Sequence, residues 1–136
     1  MEQFKKTDLE ILASLIDKMS RLAFDTATER NQVDGSTSVD EFIEAIRDEV
    51  EELNDAVVKK RETPGRDVVA NLLEKYHFGL VREFKTIHVN TIKDSRGDEI
   101  ADIILTCLSL ARFSGVQIGE LMVEKFLYNS IRDGNQ

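Results

Sequence analysis

Residues 98–111 read Asp98-Glu99-Ile100-Ala101-Asp102-Ile103-Ile104-Leu105-Thr106-Cys107-Leu108-Ser109-Leu110-Ala111, and nine of the twelve positions from Ile100 onward are apolar. A helix that is apolar on nearly all sides belongs in the middle of something. Ser95 and Asp98 suit its opening turn, and Gly115 is a natural residue to end it, because helices commonly stop on a left-handed residue. Inside this run Glu99 and Asp102 stand three residues apart, on one face and about 5–6 Å apart at Cβ. Two ionised acids beside an apolar helix are unfavourable unless something compensates them.

A matching feature lies upstream. Ser38-Val39-Asp40-Glu41 has the spacing of a capping box, and behind it Val39, Ile43, Ile46, Val50, Leu53 and Val57 form a narrow apolar seam. This predicts a helix to about Lys60, stopped by Thr63-Pro64-Gly65. Asp48, Glu49 and Glu52 fall around the seam, and Glu49 with Glu52 repeats the three-residue spacing. Alone, these three would be read as solvated surface, as Glu41, Glu44, Glu51 and Asp55 are. Facing Glu99 and Asp102 from an antiparallel helix, they would complete a four-carboxylate cage. Its natural counter-charge is a hard divalent cation, Mg²⁺ or Mn²⁺.

The remaining sequence predicts an all-α bundle of about four to five helices in a single domain, 1–136. Thr7-Asp8-Leu9-Glu10 is a capping-box pattern before a first helix from about Asp8 to Thr28, and residues 31–37 read as a loop. Val68, Val69, Leu72 and Leu73 suggest a short helix. From Tyr76 to Ile92 there is no clean period, and the β-branched content permits a strand or irregular structure. Ile118, Leu121, Met122, Phe126 and Leu127 make a last amphipathic helix ending near Arg132, with Lys125, Asn129 and Arg132 on one face. Lysine and arginine near a helix C-terminus suit its dipole without any ligand; beside a carboxylate cage they read as a phosphate-facing row.

Composition narrows the function. The chain has 136 residues, 41% hydrophobic and 32% charged, with 18 Lys plus Arg against 26 Asp plus Glu and a net charge of −8. That balance opposes binding to a nucleic-acid polymer, which needs a basic face. The single cysteine excludes an internal disulfide and a thiolate zinc site. No apolar run is long enough to span a membrane, and Met1 to Glu10 carries no signal-like stretch. The expectation is a cytoplasmic protein.

Three segments together resemble the MazG-like all-α nucleoside triphosphate pyrophosphohydrolases, related to dCTP pyrophosphatase and dimeric dUTPase. They are Asp48-Glu49-Val50-Glu51-Glu52-Leu53, Asp98-Glu99-Ile100-Ala101-Asp102-Ile103-Ile104, and Lys125-Phe126-Leu127-Tyr128-Asn129-Ser130-Ile131-Arg132. The stretch from Lys93 to Arg132 is especially similar to small MazG-like proteins of bacteria and phages. The resemblance implies Mg²⁺ (or Mn²⁺) bound by Glu49, Glu52, Glu99 and Asp102. It also implies that a helix-two glutamate orients the attacking water, that Lys125 meets phosphate, that Asn129 meets the nucleotide, and that Arg132 forms the basic end of the motif. Asp48 stands in the first acidic position in place of Glu, with a shorter reach. The implied substrate is a nucleoside triphosphate, the deoxy form expected, and the implied assembly is a homodimer or tetramer.

Two departures stand out. The spacer between Glu52 and Glu99 is longer than is usual in the family, so 66–93 has a role in covering the site, extending the dimer interface or selecting the base. Gln117 stands where many relatives have an Asp N-cap. Two other function classes find partial support in the sequence. A di-iron carboxylate bundle needs Glu-x-x-His on two helices, and only Glu74-Lys75-Tyr76-His77 supplies one. A non-catalytic oligomeric helical module needs no site at all. Phe4, Phe24, Phe78, Phe84 and Tyr128 are candidates for base contact, with core packing the better reading of each. For His77 and His88, too, surface or core duty is the better reading.

Overall fold

The computed structural model describes residues 4–132; residues 1–3 of the amino-terminal stretch read above lie outside the described residues. All regular elements among the described residues are helices: α1 (Lys6–Glu29), α2 (Val39–Val58), α3 (Arg66–His77), α4 (Val81–Thr91), α5 (Arg96–Phe113) and α6 (Ile118–Ile131). The all-α expectation holds, with six helices in place of four to five. The additional helix, α4, occupies the stretch read as irregular or strand-like. Its half-buried residues are Phe84, Ile87 and His88, a helical spacing obscured because a histidine takes an apolar place. Phe84 meets Tyr76 of α3 edge-on at 5.6 Å and stacks on His88 at 6.3 Å. This packing outweighs the weak strand preference of the β-branched residues. No described helix is long and apolar enough to cross a membrane.

Two of the helix ends read from the sequence form as expected and one does not. Glu41 N–H donates to Ser38 Oγ at 3.3 Å, the hydroxyl half of the expected box. The Thr7–Glu10 box does not form: α1 begins at Lys6, Thr7 lies inside its first turn, and Glu10 faces Lys6 at 3.7 Å. Gly115 ends α5 as expected, with φ +71°. Its N–H donates to Arg112 O and that of Val116 to Ala111 O, the paired bonds of a left-handed helix stop.

The described residues divide into two compact units. The first comprises 4–43 and 105–132, where α1 runs against α6. Gly119 lies on the backbone carbonyl of Ala13 with no room for a Cβ. The buried Ser20 hydroxyl donates to Leu108 O at 2.6 Å. Gln117 is the N-cap of α6 and makes no side-chain cap bond; Asp17 of α1 supplies the missing acceptor, taking Gly119 N–H at 2.7 Å. Phe42 and Phe24 pack around Phe113 at 5.0 and 6.5 Å.

The second unit, 44–104, contains the α3–α4 pair around buried Leu72 and the facing parts of α2 and α5. The expected burial of α5 is only partly realised. Glu99, Leu108, Ser109 and Ala111 are buried, but Ile100, Ile104 and Leu105 are 40–53% exposed.

Replacing Gly119 by alanine is expected to drive a methyl into the Ala13 carbonyl and cost about 2 kcal/mol, the usual scale for overpacking; urea unfolding measures it. Asp17→Ala is expected to cost about 1 kcal/mol as a lost cap.

Candidate metal centre

The acids singled out from the sequence lie on α2 and α5 within the second unit. Their relative placement is set by the loop leaving α2, which holds the start of α5. Arg96 N–H donates to Arg61 O at 3.1 Å and Gly97 N–H to Thr63 Oγ1 at 2.8 Å. Asp98 N–H donates to Ser95 Oγ and Ser95 N–H to Ile92 O. All four donors that a helix start leaves open are thereby satisfied. The Arg61 guanidinium reaches Asp94 O at 3.5 Å and Asp55 at 3.2 Å, bracing the loop on both sides.

Glu99 is 3% exposed. Burial pushes its carboxyl up to about 7, helped by a hydrogen bond with Glu52 and by the charges of Glu52, Asp102 and Asp98. Its Oε2 is buried and has no hydrogen-bond partner. Asp102 is half-buried one turn along α5, and Glu52 reaches Glu99 from α2 although most of its residue surface is exposed. Glu49 is half-buried one turn before Glu52, with its Oε2 shielded from solvent. Asp48 is exposed. The structure thus brings Glu52 and Asp102 into electrostatic range of Glu99 and puts Glu49 beside Glu52 on the same helix face.

Sequence reasoning missed two acids. Carboxylate oxygens of Asp94, Asp98 and Glu99 lie within 4.8 Å of one another. Asp98 Oδ2 also accepts the Asp94 N–H at 2.9 Å. The available signal was the Asp94-Ser95-x-x-Asp98 spacing around a helix start; the left-handed Asp94, φ 65°, is what turns its carboxylate toward the others. A donor set of carboxylates alone, with a buried unpartnered oxygen in it, fits a hard cation of the Mg²⁺ or Mn²⁺ kind.

Lys125, Asn129 and Arg132 lie on α6, in the first unit, and all three are exposed. The Lys125 ammonium stands 5.2 Å from the centroid of the Tyr128 ring, and Arg132 donates to Asn129 Oδ1 at 3.5 Å. The one-face spacing of the row is realised. Glu74 and His77 are both exposed on α3, and among the described residues no histidine joins a group of three ligand-type side chains. Phe4 packs edge-on to Phe126 at 5.2 Å, and Phe24 and Phe84 are likewise engaged with other rings. No family model, curated protein or solved structure matches this chain.

A carboxyl raised in the folded state binds its proton more readily there than in the unfolded chain. The metal-free protein therefore has this contribution in full below the ordinary glutamate range near 4.5, and loses it as pH rises through about 7. Thermal melts without divalent ions are expected to fall by several degrees between pH 5 and 8, and Glu99→Gln is expected to flatten that dependence.

Proposed function

We propose that the chain is a Mg²⁺-dependent nucleoside triphosphate pyrophosphohydrolase that yields a nucleoside monophosphate and pyrophosphate and serves nucleotide-pool control. The observation that carries this reading is the buried, unpartnered oxygen of Glu99 among carboxylates from two helices. Such a group is tolerated in a dry place only if a proton or a cation accompanies it. The resemblance to MazG-like sequences supplies the reaction class; the acidic cluster is what such a reaction needs.

Glu49, Glu52, Glu99 and Asp102 would hold Mg²⁺, or Mn²⁺ in its place. When bound, the ion supplies charge neutralisation of the triphosphate and a lowered pKa for the attacking water. The chain's own groups do the rest. A glutamate of α2, Glu49 or Glu52, orients the water and accepts its proton on a carboxylate oxygen as the new bond to the α-phosphorus forms. The bond from that phosphorus to the bridging oxygen breaks, and the electron pair leaves with pyrophosphate. Asp48 supports the cage from the exposed side. Lys125, Asn129 and Arg132 take phosphate and nucleotide contacts. Assembly as a homodimer or tetramer is part of the proposal, supported by the exposed apolar residues of α5 and by Val39, Ile43, Val50 and Val57 along the α2 seam.

A second reading, an oligomeric helical module without catalysis, draws support from that same apolar exposure. Release of pyrophosphate, assayed against all common NTPs and dNTPs with Mg²⁺ or Mn²⁺, separates the two. The enzyme reading expects pyrophosphate and no orthophosphate from at least one substrate. It also expects Glu99→Gln with Asp102→Asn to lower kcat/KM by about a hundredfold or more, the scale of a lost electrostatic contact. Mg²⁺ is expected to raise the melting temperature of the wild type and not of that variant. A folded wild type inert toward every substrate leaves only the module.

A further inference from the structure

Glu99 belongs to two groups of acids. One holds Glu52 of α2 and Asp102, a turn further along α5, both members of the four-ligand Mg²⁺ set. The other holds Asp94 and Asp98 at the start of that helix, with carboxylate oxygens of all three within 4.8 Å of one another. Asp94 and Asp98 lie outside the four ligands. An acidic cluster by itself is ordinary solvated surface. Here, however, one member is 3% exposed, and its Oε2 has no hydrogen-bond partner although Glu52 engages the same carboxyl. Among the described residues no ion pair is made by Asp94, Asp98 or Glu99, even though Lys93 and Arg96 are close in sequence.

The backbone at the helix start leaves them little compensation. Its four donors go to Ile92 O, Arg61 O, Thr63 Oγ1 and Ser95 Oγ. Asp94 N–H does reach Asp98 Oδ2, at 2.9 Å. The positive end of the α5 dipole, about half a unit charge, opposes a cation at this place, but three carboxylates outweigh it. Oxygen donors alone, with water to complete the shell, suit a hard divalent ion. A carboxylate has two oxygens and can serve an ion through each, and paired ions in such centres lie about 3.5–4 Å apart.

We propose that Asp94 and Asp98, with Glu99 as a shared ligand, hold a second divalent cation of the Mg²⁺ or Mn²⁺ kind. It sits beside the ion assigned to Glu49, Glu52, Glu99 and Asp102. Its task rests on the pyrophosphohydrolase reading: one divalent ion leaves four carboxylates net negative, which repels a triphosphate, and a second ion removes that excess. Whether the ion binds does not depend on the reaction.

Mn²⁺ titration of the full chain, followed by electron paramagnetic resonance, tests it. The wild type is expected to bind two Mn²⁺ per chain, close enough to broaden each other's signals. Asp94→Asn is expected to weaken one of them by about tenfold or more, at least what a lost outer-shell partner costs, and to spare the other. Asparagine keeps the left-handed backbone of this position, φ 65°. The Asp94 carboxylate makes no hydrogen bond among the described residues, so circular dichroism should stay unchanged. Glu52→Gln with Asp102→Asn is expected to remove the other ion and spare this one; Asp94→Asn alone keeps the test valid if that double variant fails to fold. One ion per chain, indifferent to Asp94→Asn, overturns the second site and leaves the proposed function standing. One ion lost in either variant is held by all the acids as a single group and overturns it too. No bound Mn²⁺ overturns this site and the four-ligand set together, whereas a single ion lost only in Asp94→Asn upholds this site and overturns that set.

Discussion

The organising constraint is a carboxyl group in a place where carboxylate is unwelcome. Glu99 is buried on α5, faces Glu52 from α2 and has Asp102 and Asp98 beside it. Burial shields the Glu99 carboxyl from solvent, so the group must keep a proton or acquire a positive neighbour. The scaffold around it does not yield: the first turn of α5 has its four backbone donors satisfied, two of them by the loop from Arg61 to Thr63. A pinned helix start removes the easiest escape, which would be to swing the acid into solvent. The cost of this arrangement is borne by the folded state, and that is the usual mark of a site kept for something other than stability.

Surface and core are out of proportion in the same molecule. The buried apolar residues include small ones such as Ala13, Ala56 and Ala111, while large side chains along α1, α2 and α5 stay exposed. Hydrophobic burial is the main force that offsets chain entropy. A helix set that leaves a seam open at Ile43, Val50 and Val57 has not used the force available to it. The two compact units each settle a local problem, α1 on α6 and α3 on α4. Apolar residues are left over on α2 and α5, which carry the acids, and equally on α1 and α6.

Much of this could be read from residue order. The seam on α2, the acids at Glu49, Glu52, Glu99 and Asp102, and the stops at Lys60 and Gly115 follow from period and turn chemistry, because those are local properties. What escaped depended on tertiary contact. α4 was hidden because its inward face includes His88, which ordinary hydropathy counts as polar. The Thr7 cap failed because α1 continues past it. Asp94 joins the acidic cluster through a left-handed backbone that no residue-type preference announced. The central burial of α5 was inferred from composition, yet composition does not say whether cover comes from the same chain.

The bond from Gly119 N–H to Asp17 spans 102 residues. Helix α1 thus receives its matching surface, and supplies the acceptor that starts α6, only after the hundred or so residues between them have been synthesised. Long-range closure of this kind is slow, and it leaves the α1 surface at Ala13, on which Gly119 later seats, bare in the meantime. Nascent chains of this protein should therefore be clients of cellular holding factors until α6 emerges.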